Sequence, residues 1–198
     1  NGIYKKALLI GADTFSRITN WESRDAVFFG DGAGAAIFSP ANNTDGFQAF
    51  RLYSDGSGKF NFTVEAGGSE YPASLKTIRN AQHYFKMNGK AVYETGIDVL
   101  PKAINQVLKD TKLSIDAIDY LIPHQPSIRI LIETAKRIGL PWKKVMTNMQ
   151  NYANTSGGTI PILLDEVCSS GKLKKNDKIL FAAVGSGWTY GASILNWS

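Results

Sequence analysis

The sequence has 198 residues, 43% of them apolar and 20% charged, a balance that suits one large globular domain or two small ones. The net charge of +5 comes from lysines spread along the chain. Without a dense basic block interleaved with aromatics, this argues against nucleic acid and leaves a solvated surface or a mild attraction for acidic partners. No apolar run approaches the roughly 20 residues of a membrane span, and no signal-peptide pattern is present.

The opening stretch, "NGIYKKALLIGAD", has no initiator Met and reads as an interior position of a longer protein. Within it, "YKKALLIGA" predicts a buried strand. Residues 26–38, "AVFFGDGAGAAIF", predict two apolar strands broken by a glycine turn. Residues 40–73 are rich in Gly, Asn, Ser and Asp and predict a loop-rich excursion with short strands such as "FNFTVEA". From Ser74 the apolar period changes. "SLKTIRNAQHYF" is helical, and "GKAVYETGIDVLPKAINQVLKD" sets Val92, Tyr93, Gly96, Val99, Leu100, Ala103, Ile104 and Val107 on one helical stripe. Pro101 is expected to kink or divide that helix. "AIDYLIP" predicts a strand. "PSIRILIETAKRIG" predicts a helix with a stripe of Ile128, Leu131, Ile132, Ala135 and Ile138, capped by Gly139. "KVMTNM" predicts another strand, "GTIPILLDEVCSSG" a helix ended by Gly171, and "KILFAAVG" and "ASILNW" two final strands.

Strands alternating with helices predict an α/β fold on mostly parallel sheet. "AVFFGDGAGAAIFS" also echoes "FAAVGSGWTYGASIL", so a duplicated fold with matching hairpins is expected, its first copy lacking a front portion.

His124, one of two histidines, sits at the carboxyl end of a predicted strand and before a helix, where open α/β sheets place their sites. Asn154 in "NYANTSGGTIP" and the turn "GSGWTYG" take equivalent places after later strands. An imidazole N–H, a carboxamide NH2 and backbone N–H groups around Ser186 are donors that suit a developing oxyanion, such as a thioester enolate. Losing one such donor costs about 3–4 kcal/mol of transition-state stabilisation. By spacing alone a structural reading stays equally open, because strand-end histidines serve as hydrogen-bond partners and Asn favours turns and N-caps. Other patterns fail. "GDGAGA" is not a dinucleotide fingerprint, "DGSGKF" is not a P-loop, and Gly185–Gly187 is not a nucleophile elbow. No His/Cys pair has metal-ligand spacing. Asp165 and Glu166 read as solvated charge.

The strings "FGDGAGAAIF", "IPHQPSIRI", "ANTSGGTIPILLDE" and "GSGWTYGASIL" resemble β-ketoacyl-acyl-carrier-protein synthase III, a condensing enzyme of the thiolase superfamily, from about Ala7 to the C-terminus. The resemblance implies a thiolase-like layered αβαβα fold. Residues 1–45 would end its N-terminal half, 46–86 would form a loop-rich connection with a helix, and 87–198 would make the C-terminal half. It implies that an acyl-coenzyme A starter is joined to malonyl-acyl carrier protein in fatty acid biosynthesis, with no cofactor, in a cytoplasmic homodimer. His124 and Asn154 match the His and Asn of the family's Cys-His-Asn triad, and Ser186 falls in the turn that supplies an oxyanion N–H. Gln125 and Arg129 match a segment associated with carrier-protein docking. Gly89 and Tyr93 in "KMNGKAVY" match the pantetheine tunnel, and Arg24 an arginine near the coenzyme A adenine.

This sequence departs from the family pattern in three places. Gly-Ser-Gly replaces three glycines, so Ser186 adds a side chain. Pro126 and Ser127 replace Ala-Asn. Cys168, the single cysteine, is not the family's nucleophile. It is placed near a helix end, where the dipole opposes a thiolate, and reads as structural. One cysteine allows no intrachain disulfide and points to a reducing compartment. The expectation is that the nucleophile precedes this chain and that the chain alone cannot form an acyl-enzyme. Two rivals remain: a related acyltransferase of secondary metabolism, and a non-catalytic partner subunit.

Overall fold

A computed structural model describes residues 3–41 and 45–198. Residues 42–44 of the loop-rich expectation fall outside the described residues. Strand β1 (Ala7–Asp13) pairs antiparallel with β2 (Gly32–Phe38), Gly11 opposite Gly34. The pair forms a sheet of its own. The expected first hairpin is absent. Residues 24–28 turn as a 3-10 helix, Phe29 makes an isolated bridge, and β2 turns back onto β1 rather than onto a strand just before it. Nor is β1 buried: Leu8 and Ile10 are 63% and 64% exposed. A continuous apolar run is the pattern of a strand covered on both faces, and in the described residues that cover is incomplete.

The excursion that follows is more ordered than its composition predicts. Strand β3 (Gly46–Ser54) spans nine residues, and the short strand β4 (Phe62–Val64) pairs antiparallel with β5 (Phe85–Met87). Between β4 and β5 lies the one-turn helix α1 (Leu75–Arg79), closed by a capping box from Ser74 and Thr77.

Helix α2 (Gly89–Thr111) runs undivided through Pro101. Proline removes the N–H that would bond the carbonyl four residues back. Here the Ile97 carbonyl accepts instead from Arg137 Nη1 at 3.0 Å. The predicted stripe is buried from Gly96 through Val107, while Val92 and Tyr93 lie half-buried near a cavity.

Strand β6 (Tyr120–Pro123) leads to α3 (Ile128–Ile138), which ends at Gly139 in the left-handed region, φ 74°. Ile128 and Ile132 of the predicted stripe are exposed, and Ile130 and Thr134 are buried instead. The predicted strand over 144–149 shrinks to one bridge, Val145 to Leu121, before the single-turn α4 (Met149–Tyr152). Helix α5 (Thr159–Ser169), β7 (Lys178–Gly185) and β8 (Thr189–Asn196) complete the chain.

The larger sheet has the order β3-β8-β7-β6. It is mostly antiparallel, against expectation: only β6 and β7 run parallel, because β7–β8 is a hairpin and β3 adds to its far edge. One face packs Leu121, Leu180, Ala192 and Ile194 against Leu100, Ile104 and Val107 of α2 and Leu131 of α3. The other face packs Ile122 and Ile179 against Leu163 and Val167 of α5. β2 lies against the opposite side of α5, where Gly34 approaches Pro161 and Ile162. The layers therefore run helices, sheet, helix, sheet.

Candidate active site

Each chemistry-bearing residue sits where a regular element gives way to a loop. His124 directly follows β6, and its N–H donates to the Ala182 carbonyl of β7 at 2.8 Å, continuing the parallel ladder. Its Nδ1 lies 2.7 Å from Thr159 Oγ1 at the start of α5. Burial pushes the imidazole pKa down to about 4, although the Ser156 carbonyl pulls it the other way. The ring is therefore neutral near pH 7.

Asn154 follows α4. Its backbone is clamped to the end of the 3-10 turn at residues 24–28 and to Gly30 just beyond, with Asn154 N–H donating to Phe28 O at 3.0 Å and Gly30 N–H to Asn154 O at 3.1 Å. At Gly30 an added Cβ would lie 2.5 Å from Tyr152 O, so only glycine permits that approach. The Ser156 N–H donates to Asn154 Oδ1 at 2.8 Å, leaving Nδ2 as the donor end of the amide. Ala153 and Ser156, which flank the loop, hold φ of 57° and 53°, a conformation that costs a non-glycine residue about 1–3 kcal/mol. Asn148 Nδ2 donates to Glu166 Oε2 at 2.8 Å, and the Tyr152 hydroxyl bonds the same carboxylate, which raises the Tyr152 pKa. Glu166 is thus a structural tie between the Asn154 loop and α5, not solvated charge. From the other side, Gly157 N–H donates to Asp13 Oδ2 of β1 at 2.8 Å.

Two cavities meet at these residues. The first, about 580 Å³, is lined by His124, Asn154, Ser186, Tyr93, Arg129 and an aromatic wall that includes Phe29. The second, about 850 Å³, is lined by Leu9, Phe38, Phe181 and Thr159 among others. His124, Ser156, Val184 and Gly185 border both. The aromatic wall is self-supporting, with Phe15 stacked on Phe29 at 4.6 Å and Phe85 edge-on to Phe29 at 4.8 Å. Beside Ser186, the Trp188 backbone exchanges two hydrogen bonds with Asp55.

The structure brings together His124, Asn154, Ser186, Gly89, Tyr93 and Arg129 around the first cavity. Arg129 is exposed at its edge, its guanidinium 5.3 Å from the Tyr93 ring centroid. Gln125 departs from its expected docking role. It is 0% exposed, and its amide donates to Pro123 O at 2.9 Å and accepts from Asn148 N–H at 3.4 Å. A side chain committed to loop backbone inside the protein has no surface to offer a carrier. Arg24 is exposed at the start of a 3-10 turn and does not line the cavity, whereas its neighbour Asp25 does. Cys168 lies in the last turn of α5 and borders neither cavity, and burial, then Asp165, pushes its thiol pKa up. No cluster of three potential metal ligands occurs among the described residues. Sequence reasoning missed Thr159, Ser156 and Asp13. The only trace of Thr159 was a hydroxyl at a helix start in "TSGGTIP".

Two models of 3-oxoacyl-[acyl-carrier-protein] synthase III match the chain, one over residues 1–56 and its C-terminal counterpart over residues 108–197. The chain belongs to the 3-oxoacyl-[acyl-carrier-protein] synthase III family. It is 39% identical over 198 residues to the β-ketoacyl-[acyl-carrier-protein] synthase III of Desulfitobacterium hafniense, covering 100% of this chain and 60% of that protein. The Clostridioides difficile synthase III is 40% identical with the same coverage. Among solved structures, the Thermus thermophilus synthase III superposes with a TM-score of 0.89 at 32% identity, covering 100% of this chain and 60% of that one. The Aquifex aeolicus synthase III gives 0.86 at 32% identity, covering 98% and 58%. These neighbours have the thiolase-like fold, and its layered α/β architecture is the one found here. The chain spans about 60% of the length of these synthase III relatives.

Proposed function

We propose that this chain carries the decarboxylation and condensation side of a synthase III active site. The whole protein joins an acyl-coenzyme A starter to malonyl-acyl carrier protein by decarboxylative Claisen condensation in fatty acid biosynthesis. The observation that carries the reading is that His124 and Asn154 border one cavity, with the Asn154 amide oriented by Ser156 N–H so that Nδ2 is its donor end. As the malonyl thioester loses carbon dioxide, negative charge grows on its carbonyl oxygen. Groups already in place to receive that charge lower the barrier without reorganising.

Backbone N–H groups near Ser186 serve a second oxyanion, that of the acyl thioester under attack. Arg129, exposed beside Tyr93 and Gly89, attracts the phosphate-bearing arm of coenzyme A or carrier protein. No cofactor is required for this chemistry. Cys168 takes no part, so the acyl-bearing thiol is supplied by sequence outside these residues and the chain alone forms no acyl-enzyme. The exposed Leu8, Ile10 and Phe50 suit burial in the whole protein and its homodimer. The boundaries 1–45, 46–86 and 87–198 describe the two halves and their connection, with β3 lending an edge to the second. A reducing cytoplasm suits the free thiol.

The test is malonyl decarboxylation in the whole protein. Asn154→Ala and His124→Ala are each expected to slow it by about 100-fold or more, and wild-type rates in both variants would defeat the assignment. Pro126, Ser127 and Ser186 all line the cavity, so a transferase using an alcohol or amine acceptor is the second reading. Product analysis with such acceptors separates the two. A partner subunit without a nucleophile would show neither activity.

A further inference from the structure

We propose that Gly58 is a positioning residue: because it has no side chain, the Trp188 indole can stand as a wall of the first cavity, beside the Ser186 turn. The stretch "DGSGKF" directly follows β3. β3 pairs with β8 as far as Ser54 opposite Thr189, and the ladder runs one step further. Asp55 N–H donates to Trp188 O at 2.7 Å, and Trp188 N–H donates back to Asp55 O. The chain then turns at once. The Asp55 carboxylate accepts from Ser57 N–H at 2.9 Å and caps the 3-10 turn Gly56–Gly58. That turn carries the buried Gly58 onto the indole. A Cβ at Gly58 would lie 1.9 Å from Trp188 Nε1 and 2.4 Å from Cδ1, so only glycine permits the approach. Trp188 is 7% exposed and lines the cavity. A Cβ at Gly56 would meet nothing within 4 Å among the described residues. Of the two glycines in the turn, only Gly58 answers to packing.

The same turn reaches a second wall. Asn61 N–H donates to Gly58 O at 2.9 Å, and Asn61 O accepts from Asn88 N–H at 2.8 Å. Asn88 caps α2 through Ala91 N–H, and Gly89, Val92 and Tyr93 of that first turn line the cavity together with Trp188. One short turn thus holds the indole wall and the α2 wall in register. An indole is a rigid plate, and close packing leaves it few ways to move. With the Gly58 backbone against its pyrrole edge, a side chain at position 58 drives the plate toward the open side, which is the cavity. That this space takes an acyl thioester rests on the reading given above. The packing of Trp188 on Gly58 does not.

Thermal melts and decarboxylation kinetics of the whole protein test this, with malonyl-acyl carrier protein as the probe. Gly58→Ala is expected to raise the KM by about tenfold, with kcat changed less. A loss of folded protein alone would lower kcat and leave the KM in place. Gly56→Ala, the control, is expected to keep the wild-type KM and melting temperature. Gly58→Ala is expected to lower the melting temperature, and that drop is expected to vanish when the substitution is made on Trp188→Leu, whose smaller side chain clears the clash. A folded Gly58→Ala with a wild-type KM overturns the proposal. So does a melting drop that is the same with and without the indole, or an equal effect from Gly56→Ala. If Gly58→Ala does not fold, adding Trp188→Leu is expected to restore folding, and a double variant that stays unfolded overturns the proposal. None of these results touches the rates of Asn154→Ala and His124→Ala. Conversely, unchanged decarboxylation in both of those variants removes the site assignment and leaves the melt comparison intact.

Discussion

Protonating His124 should unfold the site, and the cost follows from its surroundings. An ordinary imidazole titrates at 6.5, and burial lowers His124 to about 4. The unfolded chain therefore binds a proton through the interval from 6.5 down to about 4, while the native state does not. Stability rises with pH wherever the unfolded state holds more protons. The contribution from His124 is thus fully present above pH 6.5, is lost as pH falls toward 4, and flattens below that. At about 1.4 kcal/mol per pH unit, the loss amounts to about 3 kcal/mol. The assay is urea unfolding of the whole protein at several pH values across that interval, comparing wild type with His124→Gln. Carboxylates contribute equally to both curves, so the difference between them isolates the imidazole. Parallel curves, with no divergence between pH 6.5 and 4, would refute the argument that the native site keeps this ring uncharged.

Gln125→Ala should destabilise by about 1–3 kcal/mol, because Pro123 O and Asn148 N–H lose their buried partner. Carrier-protein affinity measured by calorimetry should stay at the wild-type value. Gly11→Ala should push the 157–158 turn away, since its Cβ would lie 2.1 Å from Gly157 O. A stability loss of about 1–3 kcal/mol in thermal melts is expected, along with slower decarboxylation. Glu166→Ala should bring the Tyr152 pKa back down toward 10, readable in ultraviolet titration, because the carboxylate hydrogen bond is the first cause of its elevation. The same variant should weaken decarboxylation by freeing the loop that carries Asn154.

Much of this protein was legible from local pattern. The helical period over 89–111 and 128–138, the glycine stop at 139 and the strand ahead of His124 depend on side chains a few residues apart, and the structure agrees. The motif strings that carry His124, Asn154 and Ser186 were legible for a different reason: reacting groups need fixed chemical types in fixed order. Strand direction was not legible. A nine-residue β3 joins the far edge of the sheet from inside a Gly- and Asn-rich stretch, and that pairing depends on partners more than 130 residues away. The single bridge at Val145 and the unbroken helix through Pro101 are also tertiary decisions, the latter relying on Arg137 from another helix. Gln125 looked like surface beside a docking arginine, yet packing turned it inward to satisfy loop backbone.

The sequence alone determined which residues could do chemistry and the order in which helices present them. Tertiary structure decided how they act: Ser156 N–H, in a loop folded back between β1 and α5, leaves Asn154 Nδ2 as the donor end of its amide, and burial keeps His124 neutral. Hydrogen-bond direction depends on distances between atoms far apart in the chain, and local pattern holds no record of those distances.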